Sequence, residues 1–126
     1  MADDGDMRAA LEEMLRSGAF TRREEKLLER LLAKPSASIK ELFEIAARFG
    51  MYGNENLRAY LKTGALTPED AKKLKKQHAN RYATMRKKQQ YVGPVLAQLN
   101  RRFRKHGVAA QLRPGKLKQT YALHTD

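Results

Sequence analysis

Cysteine and tryptophan are absent from this chain of 126 residues, and no Asp or Glu occurs between Asp70 and Asp126. The lack of cysteine excludes disulfides and thiolate metal sites. No apolar run approaches the roughly 20 residues that a membrane-spanning helix needs. The stretch MADDGDMRAALEEM is acidic and has no apolar h-region, so it does not read as a secretory signal. The missing acids leave fifteen Lys and Arg between Lys72 and Lys118 uncompensated, whereas residues 1–63 hold eleven acids and eleven bases. The net charge of +12 therefore belongs to the second half. Self-repulsion gathered on one lobe destabilises the compact state unless a polyanion meets it, and nucleic acid is the commonest such partner. The expectation is a cytoplasmic protein, one compact domain overall, with a small core.

What is present is a repeated phrase. Leu15 to Lys26 reads LRSGAFTRREEK and Leu61 to Lys72 reads LKTGALTPEDAK, forty-six residues later. In each copy a glycine, Gly18 or Gly64, supplies the left-handed conformation that ends a helix, and a threonine, Thr21 or Thr67, caps the next one. An acid three residues on, Glu24 or Asp70, completes a capping box or a shorter version of it. Leu11 and Leu15 match Leu57 and Leu61 upstream, and Leu42, Ile45 and Phe49 match Leu96, Leu99 and Phe103 downstream. The pattern predicts a mainly α protein of two tandem three-helix units from an internal duplication: a neutral unit over 1–52, a basic unit over 53–107, and a basic tail or hairpin over 108–126. Helices are expected near 7–17, 22–34, 39–49, 54–63, 68–91 and 94–106, with Gly93 and Pro94 breaking the last two apart. In the tail Val108, Ala110 and Leu112 alternate, Arg113-Pro114-Gly115-Lys116 suits a type II turn, and Leu117, Gln119, Tyr121 and Leu123 share a face, which predicts a small hairpin.

Little in the chain points to catalysis. His78, His106 and His124 are far apart with no carboxylate at ligand spacing, so neither a metal nor another cofactor is expected. Ser17, Thr21, Ser36, Ser38 and Thr67 fall at helix ends, where capping accounts for them. Paired carboxylates lie in first turns or beside bases four residues away, as in Glu12 with Arg16 and Glu44 with Arg48. No glycine-rich phosphate loop follows a strand. The chain is expected not to be an enzyme.

The binding signal lies in the second half. On the fifth helix Ala71, Leu74, His78, Tyr82, Met85 and Gln89 form one stripe, opposite Lys72, Lys73, Lys76, Lys87 and Lys88. The sixth helix adds Arg101, Arg104 and Lys105 away from its Leu96, Leu99, Phe103 stripe, and the tail adds Arg113 and Lys116. These ten cations are the expected phosphate contacts. Gln89, Gln90 and Tyr91 stand among them as candidate base contacts, Tyr91 and Tyr121 as stacking rings. A second candidate is Glu41 to Lys62, ELFEIAARFGMYGNENLRAYLK, which resembles a helix-turn-helix with Leu57, Tyr60 and Leu61 inward and Asn54, Asn56 and Arg58 as candidate base readers. It departs from that motif by one extra residue, which puts Asn56 where an apolar side chain belongs.

These readings converge on non-catalytic nucleic-acid binding through the basic unit, DNA favoured over RNA, with residues 1–52 left for a protein partner and no membrane association. Two alternatives share the charge pattern: an interaction subunit of a larger viral, plasmid or RNA-guided nucleoprotein complex, and an adaptor for an acidic protein.

Overall fold

The computed structural model describes residues 4–50 and 53–125. Met51 and Tyr52, in the segment read as the turn of a helix-turn-helix, lie outside the described residues. Among the described residues the chain is mostly helical, 66% helix in six helices, with a small three-stranded sheet. In chain order these are α1 (Asp4–Arg16), α2 (Arg22–Ala33), β1 (Ser36–Ser38), α3 (Ile39–Arg48), α4 (Asn54–Thr63), α5 (Pro68–Arg81), α6 (Met85–Lys105), β2 (Ala110–Pro114) and β3 (Thr120–Thr125).

One apolar core gathers α1, α2, α3, α6 and the sheet. Helical spacing delivers Met7, Leu11 and Met14 from α1, and Leu27, Leu28, Leu31 and Leu32 from α2. The α3 contribution is Leu42, Phe43 and Ala46. Helix α6 crosses the middle with Val92, Val95, Leu96, Leu99 and Phe103, and Phe103 meets Phe20 edge-on at 6.2 Å. Helices α4 and α5 add no residue to this buried cluster, each burying a single residue, Leu57 and Ala71, and α5 meets it through His78 on Phe43.

Both repeated turns form. Gly18 and Gly64 are left-handed, φ 74° and 76°, and the next amide reaches back five residues in each, Ala19 to Met14 O and Ala65 to Tyr60 O. Thr21 caps α2 in a full capping box with Glu24, and Thr67 accepts from Asp70 N. The duplication itself is not confirmed. Phe20, after the first turn, is buried in the core, while Leu66, after the second, is only half-buried.

The long fifth helix was expected to run to 91 and the sixth to begin at Pro94; the break falls at Tyr82–Thr84 instead. Thr84 caps α6 by accepting from Lys87 N, and α6 runs through Pro94. Two facts make that continuation tolerable. Pro94 is on the solvent side, where the Gln90 carbonyl it leaves unpaired can meet water, and Gly93 before it has no Cβ to clash with the proline ring. Apolar burial on both sides of the proline, Val92 and then Val95, Leu96 and Leu99, holds the helix together.

The hairpin forms and acquires a third strand. The order is β1-β3-β2, antiparallel throughout, with Leu112 opposite Leu123 and Ala37 opposite Tyr121. The mainly α class holds, with a three-stranded sheet where a two-stranded hairpin was the expectation. Asn100 of α6 clamps β2 by donating to Leu112 O (3.1 Å) and accepting from Leu112 N (2.8 Å). The expected type II turn does not form, because the left-handed residue is Gln119, φ 58°, in a longer loop closed by Gly115 N to Thr120 O. Leu117, expected on the inner face, sits in that loop at 75% exposure.

Candidate nucleic-acid interface

Helix α6 organises the basic half. Its 21 residues contain no acid, and at 1.5 Å per residue they span about 31 Å. With Val92, Leu96, Leu99 and Phe103 turned inward, the 100° step per residue puts Arg86, Lys87, Gln90, Arg101, Arg104 and Lys105 together on the outward side, and all six are exposed. Among the described residues, Arg102 is the one cation of α5 and α6 in an ion pair. It turns inward: Nε donates to Oε2 of buried Glu24 at 2.8 Å, and Nη1 donates to Ala19 O. The other carboxylate oxygen, Oε1, accepts from Thr21 N, so Glu24 ties the cap of α2 to α6. Lys88, expected on phosphate, is half-buried. Its ammonium lies 5.4 Å from the centre of the Phe43 ring and donates to Ala83 O.

On α5, Pro68 at the first position and Asp70 in the first turn begin a helix whose Ala71, Leu74 and His78 face inward. Lys72, Lys73 and Lys76 stand exposed on the outer side, as the periodicity predicted. The stripe does not continue to Met85 and Gln89, since the chain breaks at Tyr82. Arg113 and Lys116 are exposed on β2 and the following loop. Arg101 and Arg104 line a small polar cleft of about 250 Å³ with Asn100 and Gln111. Gln89 is exposed.

The helix-turn-helix reading fares differently. Asn56 donates to Gly50 O at 2.6 Å, which occupies its amide in holding α4 against the end of α3. Expected inward, Tyr60 and Leu61 are 37% and 39% exposed, and only Leu57 is buried. Arg58 is exposed beside Glu55, and Asn54 is exposed at the start of α4. Arg48 pairs with Glu55 instead of Glu44, and Arg16 with Glu13 instead of Glu12.

Tyr91 and His78 come together where α2, α3, α5 and α6 converge. Four rings form one cluster: Phe43 stacks on His78 at 5.8 Å and 17°, His78 lies 4.8 Å from Tyr82, and Tyr82 meets Tyr91 edge-on at 5.1 Å. Tyr91 Oη accepts from Arg23 Nη1 (3.3 Å) and donates to Ala46 O (3.4 Å). Burial, and then the nearby Arg81 guanidinium, hold the His78 imidazole below its ordinary pKa, which favours the neutral ring. In front of the rings is a cleft of about 390 Å³ that Arg23 and Arg81 also line. Reading the sequence missed both arginines, because Arg23 belongs to the neutral half and carries no local signal. Tyr121, by contrast, packs against the core opposite Ala37.

Among the described residues no three His, Asp or Glu side chains are grouped as metal ligands, and no helix is long and apolar enough to cross a membrane. No protein-family model, no curated protein and no solved structure matches this chain.

Proposed function

We propose that this chain is a non-catalytic nucleic-acid-binding protein of the cytoplasm, that residues 53–107 supply most of its phosphate-contacting surface, and that residues 1–52 serve chiefly to meet a protein partner. The observation that carries this reading is the outward side of α6. Five cations, Arg86, Lys87, Arg101, Arg104 and Lys105, share it over about 28 Å, with no acid on the helix. A strip of that length approaches one turn of duplex, roughly 34 Å, and its charges repel one another until phosphates lie against them. Lys72 and Lys76 of α5 add to the same positive field.

The test is the salt dependence of binding to a random 20-base-pair duplex, compared with single-stranded DNA and RNA of the same sequence. Contacts from Lys72, Lys76, Lys87, Arg101, Arg104 and Lys105 to six phosphates give log affinity a slope of about −5 against log salt on B-DNA, roughly a thousandfold between 50 and 200 mM. Lys76→Gln with Lys87→Gln should reduce the slope by about 2 and weaken every sequence alike. Salt-independent binding, or an unchanged slope in the double variant, would place the surface elsewhere.

A further inference from the structure

The four-helix cleft has a composition that a patch of surface cations lacks: aromatic walls, an imidazole, an amide, and two guanidiniums. We propose that it is a binding site for a nucleoside monophosphate unit with an unpaired base, the base lying against His78, Tyr82 and Tyr91 and the phosphate held by Arg23 and Arg81. The proposal deepens, and rests on, the nucleic-acid-binding reading.

The walls suit a base. His78 is already stacked on Phe43, which fixes its ring plane, and Tyr91 is immobilised by Arg23 and by Ala46 O, so little rotamer freedom is left to lose when a flat ligand arrives. The space behind Tyr91 is shut: a Cβ built on Gly50 would stand 2.6 Å from Tyr91 Oη, so the ring cannot retreat towards α3. Base faces stack on such rings whatever their sequence. The cleft volume, about 390 Å³, lies in the range of small-molecule sites, roughly 300–1,000 Å³.

The polar groups suit a phosphate beside that base. Arg23 from α2 and Arg81 from α5 line the same opening with no carboxylate among the lining residues, and Arg81 sits 5.6 Å from the Tyr82 ring centre. Guanidinium forks hold phosphate oxygens bidentately. Gln77 on the same wall offers a donor and an acceptor to a base edge. A base inside a duplex has both faces covered and cannot enter, so the site distinguishes unpaired from paired nucleotides, which the outer face of α6 does not.

The experiment follows the ring resonances of the three histidines by NMR in the intact chain while adenosine monophosphate, adenosine, inorganic phosphate, a ten-residue single strand and a duplex are added in turn. His106 and His124 are exposed and serve as internal controls in the titrations with the small ligands. Adenosine monophosphate should move His78 alone, with an affinity at least tenfold above that for adenosine or inorganic phosphate. Arg23→Gln should weaken it about tenfold while the salt slope on duplex DNA stays as it was, and Arg81→Gln checks the other side of the phosphate. Tighter binding of the single strand than of the monophosphate identifies a strand as the source; binding of the monophosphate without the strand identifies the free nucleotide. The proposal is overturned if His78 does not respond, if inorganic phosphate matches the monophosphate, or if the duplex moves His78 as far as the strand. An unresponsive His78 with the duplex salt slope intact removes the cleft alone, whereas loss of salt-dependent duplex binding removes the reading beneath it.

Discussion

Glu24 is the buried charged residue among the described residues, at 2% exposure, and its partner Arg102 arrives from seventy-eight residues away. Truncating Arg102 to Met keeps the aliphatic stem and removes the charge, leaving a carboxylate in the apolar interior with Thr21 N as its remaining partner. Removing one member of a buried ion pair costs about 3–5 kcal/mol. The opposite truncation, Glu24→Leu, is milder, because the Arg102 side chain is 30% exposed and can turn to water. Its cost is the lost capping interaction, about 1 kcal/mol, plus part of the pairing. The expected order is therefore Arg102→Met well above Glu24→Leu, with the double variant Glu24→Leu, Arg102→Met less destabilised than Arg102→Met alone, since apolar replacement of both members restores a consistent interior. Urea unfolding followed by far-ultraviolet circular dichroism reads all three, and a loss of about 3 kcal/mol lowers the melting temperature by roughly 10 °C. Equal costs for the two single variants, or strictly additive losses in the double, would refute the claim that the penalty comes from orphaning the carboxylate.

Pro94→Ala should stabilise the chain by about 1–3 kcal/mol, because it restores a helical hydrogen bond at an exposed position, and a lower melting temperature would contradict the account of α6. Gly18→Ala should cost about 1–2 kcal/mol through backbone strain alone, since nothing lies within 4 Å of the added Cβ; an unchanged urea midpoint would contradict the left-handed turn. Asn100→Ala removes both bonds to the Leu112 backbone and should cost about 1–3 kcal/mol, seen first as faster hydrogen exchange at the Leu112 amide. His78 is held below its ordinary pKa by burial and then by Arg81, so the unfolded chain takes up that proton more readily. Stability tied to neutral His78 is thus complete above the unfolded value of about 6.5 and declines as pH falls through it towards the folded value. His78→Gln should flatten the decline in urea midpoint between pH 7 and pH 5, and an unaltered slope would show that other groups cause it.

Local chemistry was legible in the residues wherever a short-range rule acts alone. Glycine at a left-handed turn and threonine before a helix need no distant partner, so the turns at Gly18 and Gly64, the caps at Thr21, Ser38 and Thr67, and most helix starts follow from the sequence. Lys72, Lys76, Lys87, Arg101, Arg104 and Lys105 follow equally, because helical period alone separates Lys72 and Arg101 from Leu74 and Leu99, whereas Arg86 does not and Lys88 turns onto Phe43. The cap at Thr84 carries no legible sign, because no acid stands three residues on, and by local rules Gly93-Pro94 outweighs it. Only packing decides that contest: α6 continues through the proline because the apolar side chains before and after it enter one core. The same holds for β1, whose three residues Ser36–Ser38 carry no strand signal and pair because β3 is laid beside them. It holds above all for the cleft, where the neutral half contributes Arg23 and the basic half Tyr91 and Arg81. Charge counted along the chain assigns the positive field to residues after Asp70, but a site needs groups that converge in space, and convergence across sixty-eight residues is a property of tertiary contact that no spacing in the sequence encodes.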